Sequence, residues 1–184
     1  NKTEVVYPSI HKEKSIVKKD KKIVFVGKLN PSKGYDIYRD AIVRILNEFK
    51  DWKAFSIGDE RRNKPIIDHL NHDELGYLTH KEVLKFLNKS EIAVVPSRWE
   101  EPFGRTALES SSRGCATIIS NRGGLPETTD NCIILKKLNS NELYKELKKL
   151  ILNKKYRNKL QNNGFNNIKH LTKENSSIID AIRE

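Results

Sequence analysis

The chain has 184 residues, 36% hydrophobic and 32% charged, which suits one domain with a full core and excludes a disordered polar polymer. Its 35 basic and 24 acidic residues give a formal net charge of +11, yet the basic residues are scattered, with no aromatic-interleaved patch, so a nucleic-acid-binding module is disfavoured. No apolar run approaches the ~18 residues of a membrane-spanning helix, and the opening residues do not read as a secretory signal.

Residues 1–20 are polar, with Val5-Val-Tyr-Pro8 as their clear extended signal. Ile23–Val26 is a short, wholly apolar run, the pattern of a strand covered on both faces. Gly34–Phe49 carries Tyr35, Tyr38, Ile42, Ile45, Leu46 and Phe49 at helical spacing. Trp52–Ile57 reads as the second strand and ends at Gly58. A polar loop or helix covers 59–71, and Glu74–Tyr77 reads as a short third strand. Lys81–Asn88 is expected as a helix, Ile92–Val95 as the fourth strand, Arg105–Arg113 as a helix and Ala116–Ser120 as the fifth strand. Leu125–Thr128 reads as one helical turn and Ile133–Leu135 as the sixth strand. Asn141–Leu152, Lys154–Ile168 and Thr172–Arg183 read as closing helices. This alternation predicts an α/β fold, a Rossmann-like doubly wound parallel sheet of about six strands.

The run Glu101-Pro-Phe-Gly104-Arg-Thr-Ala-Leu-Glu109 follows the fourth strand closely. It places Glu101 in a loop at the carboxyl end of that strand and Glu109 about one and a half turns into the next helix. In an open parallel sheet, that crevice is where ligands bind. A helix start suits a phosphate and carboxylates suit sugar hydroxyls, so the combination reads as a nucleotide-sugar site. Glu100 is an adjacent acid, and the seven-residue interval selects Glu101 instead. A two-carboxylate hydrolase is the rival reading.

The loop Gly27-Lys-Leu-Asn-Pro-Ser-Lys33-Gly34 joins the first strand to its helix. Its lysines, Lys28 and Lys33, are expected to point into the same crevice and neutralise a diphosphate. A plain turn with solvated lysines is the alternative, and the order of residues is not that of a Walker loop. Glu109 shares a helical face with Arg105, so a simple surface pair competes with a ligand role. Gly58 lets the chain pass near the crevice, and Gly123-Gly-Leu-Pro-Glu127 is a turn with an acid. The five histidines form no metal pattern; His80 reads as the start of a helix, and no catalytic histidine is assigned. Cys115 and Cys132 are not spaced as a metal site or a redox pair, and each heads an apolar run, as small core residues in a reducing compartment do.

Together, Val26-Gly-Lys-Leu-Asn-Pro-Ser-Lys-Gly34, Leu75-Gly-Tyr-Leu78, Val95-Pro-Ser97, the double-glutamate run and Gly123-Gly-Leu-Pro-Glu127 resemble the C-terminal, donor-binding domain of family 4 retaining glycosyltransferases with the GT-B fold. The resemblance covers residues 23 to about 150. It implies that Lys28 and Lys33 hold and stabilise the donor pyrophosphate, although that family usually carries Arg where Lys28 stands. It implies that Glu109 accepts from the ribose hydroxyls and Glu101 from those of the transferred sugar. Phe103, Gly104, Arg105 and Thr106 would supply backbone N–H groups, Gly27 a close backbone approach, and Tyr77 and Leu78 would border the nucleobase. Glu101, Lys28 and Lys33 are the catalytic candidates.

No cofactor and no metal are expected, with a nucleotide sugar as the substrate. Residues 1–20 would be an interdomain linker, 21–170 the nucleotide-sugar-binding domain and 171–184 a C-terminal helix. With no Met anywhere, the chain is expected to be a piece of a longer protein whose N-terminal, acceptor-binding domain is its main partner. The expected setting is cytoplasmic, and the basic balance admits an anionic membrane face as a peripheral partner. A non-catalytic nucleotide-sugar-binding domain would carry the same motifs.

Overall fold

A computed structural model describes residues 8–11, 13–62 and 64–168. Six strands, β1 (Asp20–Val26), β2 (Lys53–Ile57), β3 (His72–Glu74), β4 (Ser90–Val95), β5 (Ala116–Ile119) and β6 (Ile133–Ile134), form one sheet. Their spatial order is β3-β2-β1-β4-β5-β6, and every pairing is parallel. β1 is central: Val24 sits opposite Phe55 on one side and Ala93 on the other.

The period-two alternation of β1 divides the core into two layers. Ile23 and Phe25 face α1 (Tyr35–Glu48) and α5 (Ser140–Leu152), packing with Tyr38, Ile42, Leu46, Leu143 and Leu147. Val24 faces the opposite way, toward Val83 and Leu87 of α2 (His80–Lys89). α2 begins in a capping box, with Glu82 N–H donating to Thr79 Oγ1 and Thr79 N–H donating back to the Glu82 carboxylate. α3 (Arg105–Ser112), the single turn α4 (Leu125–Thr128) and α6 (Lys154–Asn166) complete the order. Among the described residues, no helix is long and apolar enough to cross a membrane.

The third strand differs from the sequence expectation of Glu74–Tyr77. The ladder with β2 runs over His72–Glu74 and closes with Leu75 N–H donating to Ser56 O at 2.9 Å; Gly76, at φ +65°, then turns the chain away. His72-Asp73-Glu74 is a polar edge strand with no apolar alternation to mark its register. The segment 59–71 adopts no helix among its described residues. Cys115 is a core residue as expected, but Cys132 is only half-buried; neither is in a disulfide. The expected closing helix 172–183 lies outside the described residues.

Ahead of β1, Ile10 is buried, Glu13 pairs with the buried Arg113 at 2.7 Å, and Lys19 Nζ donates to the carbonyls of Leu87, Asn88 and Arg113 at 3.3, 3.0 and 2.8 Å. The Lys19 ammonium thereby caps the C-terminal ends of both α2 and α3.

Candidate functional site

The strand order reverses between β1 and β4. Brought together there are the β1–α1 loop, 27–34, and the β4–α3 loop, 96–104. Such a switch point opens a crevice because the two connections leave on opposite faces of the sheet. The β1–α1 loop holds a short 3₁₀ turn, Pro31–Lys33, capped by the Asn30 side chain. Gly34 then takes φ +73°, and a Cβ there would stand 1.9 Å from Pro96 O, so only glycine lets the two loops touch.

Arg98 clamps this junction. Its Nη1 and Nη2 donate to Asp36 Oδ1 and Oδ2 at 2.5 and 2.8 Å, and Nη1 donates to Pro31 O at 2.7 Å. The backbone N–H groups of Arg98 and Trp99 both donate to Ser32 O at 2.9 Å. Burial pushes the Asp36 carboxyl up, but the Arg98 hydrogen bonds and charge outweigh it and hold the group below its usual range. Neither partner was singled out from sequence, and a 62-residue separation offers no periodic signal.

A cavity of about 390 Å³ lies at the switch point, bordered by Gly27, Lys33, Glu101, Phe103, Arg105 and Thr106, with Gly104 also in its wall. In its wall Lys33 Nζ donates to Glu101 Oε1 at 2.7 Å, with the side chains 30% and 13% exposed. The start of α3 lines the same cavity through Arg105 and Thr106. Its N-cap, Gly104, has no side chain to occupy the helix's orphan donors, so helix geometry leaves the N–H groups of Arg105 and Thr106 without intrahelical acceptors. The turn 123–127 buttresses the acidic loop. Gly124 N–H donates to Glu101 O at 2.7 Å, Glu100 accepts from Arg122 and from Gly123 N–H, and a Cβ on Gly123 would lie 2.2 Å from Glu101 O. Glu100 is thereby spent on the turn, and Glu101 is the acid in the cavity wall.

Lys28 is not in that cavity. It is exposed and lines two neighbouring hollows. One, about 300 Å³, also involves Gly27, Gly58, Tyr77 and Leu78; the other, about 340 Å³, involves Asp59, Glu60, Arg61 and Arg62. Lys33 lines the switch-point cavity and Lys28 the hollow beside it, with Gly27 bordering both. Tyr77 is 79% exposed at the edge of the first of these hollows. Glu60, which the sequence did not flag, accepts from Asn30 Nδ2 at 2.7 Å and from the Arg62 backbone N–H; these bonds pull its carboxyl down to about 2.

Glu109 is 8% exposed. Its Oε1 meets His80 Nε2 at 2.9 Å and Arg105 Nη2 at 3.4 Å. The Arg105 pair, the alternative to a ligand role, is present, and the His80 contact, which comes from a different helix, carried no sequence signal. Among the described residues, no cluster of His, Cys, Asp or Glu has the makings of a metal site.

The sheet, its switch point and the uncapped helix start define a Rossmann-like α/β domain with its crevice at the carboxyl edge of its strands. The family model described as glycosyl transferases group 1 matches residues 6–167, and the chain belongs to that family. Its relatives include a glycosyltransferase of Methanocaldococcus jannaschii, itself uncharacterised, 35% identical over 169 residues that make up 89% of this chain and 48% of that protein. Glycogen synthase of Mycobacterium tuberculosis is 30% identical over 116 residues, 59% of this chain and 28% of the enzyme. The chain thus spans about half the length of the first relative and less of the second. Among solved structures, Anabaena HepE in complex with UDP-glucose superimposes with a TM-score of 0.75 at 17% identity, over 89% of this chain and 49% of that one. The C-terminal domain of a group 1 glycosyl transferase from Francisella tularensis gives 0.68 at 23% identity, over 81% and 85%. These likenesses establish the fold, the Rossmann-like C-terminal half of a GT-B glycosyltransferase.

Proposed function

We propose that this chain is the donor-binding domain of a retaining glycosyltransferase that moves a sugar from a nucleoside diphosphate to an acceptor. The observation that carries this reading is the Lys33–Glu101 pair set 2.7 Å apart above the uncapped start of α3. It puts a cation, an acceptor of hydroxyl protons and free backbone donors around one cavity, the set that a sugar bonded to a diphosphate requires. Family membership and the UDP-glucose complex of HepE support the same reading.

In the transfer, the bond between the anomeric carbon and the diphosphate oxygen breaks, its electron pair leaves with the diphosphate, and an acceptor hydroxyl oxygen bonds to the same face of the sugar as its proton passes to the departing diphosphate oxygen. Lys33 and the N–H groups of Arg105 and Thr106 stabilise the departing negative charge, with Lys28 adding long-range attraction. Glu101 orients the sugar through its hydroxyls, and Glu109 takes the ribose. Metal is not required, because cationic side chains and a helix start carry the charge stabilisation. The hollow edged by Tyr77 and Leu78 receives the base, and the acceptor is held by the rest of the parent protein.

Calorimetric titration of the chain with UDP, GDP and ADP, each with and without an attached sugar, tests this reading. Binding of at least one, with no sugar transfer by the chain alone, is the expected result. Failure of all of them to bind would overturn it.

A further inference from the structure

His80 and Glu109 stand on different helices, 29 residues apart, yet meet at 2.9 Å. They line a hollow of about 100 Å³ that shares Pro8 and Arg105 with the proposed donor cavity. His80 is the first residue of α2, fixed there by the Thr79–Glu82 capping box. Its side chain is 58% exposed, so it is not held in place by packing, whereas the Glu109 side chain is 10% exposed and needs partners for its charge. A carboxylate offers about four acceptor positions, two on each oxygen. His80 Nε2 and Arg105 Nη2 both address Oε1.

We infer that His80 is a positioning residue for nucleoside recognition. It locks the Glu109 carboxylate so that Oε1 is committed to the protein and Oε2 is turned to the vicinal hydroxyls of a ribose. Either protonation state serves, because a neutral ring with its proton on Nε2 and an imidazolium both donate there. Arg105 alone cannot replace it: the guanidinium is 62% exposed and 3.4 Å away on Glu109's own helix, free to swing with its side chain. Without His80, the carboxylate would rotate toward Arg105 and lose its aim. This inference rests on the donor-domain reading, and it adds a contact supplied from α2, an element outside the two loops that form the cavity.

The test uses the 184-residue chain and whichever of UDP, GDP and ADP it binds best, with inorganic pyrophosphate as a second probe. His80→Ala is expected to weaken the nucleotide by about five- to twenty-fold, because the hydrogen bond it removes is to Glu109 and not to the ligand, while pyrophosphate binding stays at the wild-type level. His80→Gln, whose amide N–H reaches toward the same oxygen, should recover most of the loss. In the Glu109→Gln background, His80→Ala should have little further effect. Thermal melts of each variant separate misfolding from lost aim, and a variant that melts early is judged on its ratio of nucleotide to pyrophosphate affinity. Wild-type nucleotide affinity in His80→Ala, or equal losses for nucleotide and pyrophosphate, would overturn the inference alone. A wild-type chain that binds none of the three nucleotides would overturn the donor-domain reading and this inference with it.

Discussion

Lys33 Nζ and Glu101 Oε1, 2.7 Å apart, tie the two loops of the switch point together across 68 residues of sequence. Each is the other's counter-ion. A diphosphate entering the cavity must therefore compete with Glu101 for Lys33, so the two residues are expected to act with opposite sign. Lys33→Ala should weaken diphosphate binding by about 1–3 kcal/mol, the range for a charge-assisted hydrogen bond. Glu101→Gln should leave diphosphate affinity intact or tighter and should reduce turnover in the parent enzyme. Lys28→Ala, from its exposed position, should weaken binding less than Lys33→Ala. Calorimetry at two salt concentrations checks all three; a loss of diphosphate affinity in Glu101→Gln contradicts the assignment.

Arg98 and Asp36 should make part of the fold's stability acid-sensitive. The Asp36 carboxyl is held below its usual range, so its contribution is present above the unfolded-state value and is lost as pH falls through the folded one. The pair is partly exposed, which limits the contribution to about 0.5–1.5 kcal/mol. Arg98→Ala should lower the melting temperature at pH 7, and that difference should shrink as the pH drops below about 4. A melting difference that does not change with pH would show that the guanidinium acts through Pro31 O alone.

His72 gives a second pH effect of the same sign at higher pH. Burial pushes its pKa down, against the pull of Glu74 and Asp73, and its Nε2 lies 2.8 Å from the buried Ser56 Oγ. The folded state thus favours the neutral ring. Stability is full above the ordinary histidine value and falls as pH drops from there toward the folded-state value. Chemical denaturation of wild type and His72→Gln at pH 7.5 and 5.5 should show a larger loss in the wild type.

The two thiols should differ in reactivity. Burial pushes the Cys115 thiol up to about 11, and its Sγ lies 3.2 and 3.3 Å from the carbonyls of Leu87 and Ser90. Cys132 is half-buried. At pH 8 a disulfide reagent is expected to modify Cys132 alone in the folded chain, and Cys115 only after denaturant is added. Rapid modification of Cys115 under native conditions would contradict its placement in the core.

Gly34→Ala should disrupt the site through the backbone. The new methyl would meet Pro96 O at 1.9 Å from a left-handed conformation, so the β1–α1 and β4–α3 loops must part. A loss of at least ~3 kcal/mol in chemical denaturation is expected, more than at Gly76, where a Cβ would meet nothing within 4 Å.

The central strands, the helices among the described residues and the placement of Glu101 before α3 and Glu109 within it were legible because wholly apolar runs and helical spacing leave marks in sequence. β3 was not, since its His72-Asp73-Glu74 carries no apolar alternation. The members of the site were legible as residue types, but their pairing was not. Nothing in the interval between Lys33 and Glu101 announces a salt bridge, and nothing joins His80 to Glu109 except the packing of α2 beside α3. Those pairings follow from strand order, and strand order is set by how the whole sheet assembles.

Lys19 has a mechanical consequence. Its ammonium pins the far ends of α2 and α3 to one point beside β1, through carbonyls of Leu87, Asn88 and Arg113. The two helices are therefore tethered at their C-terminal ends by one ammonium, and Lys19→Met would take a donor from all three carbonyls at once.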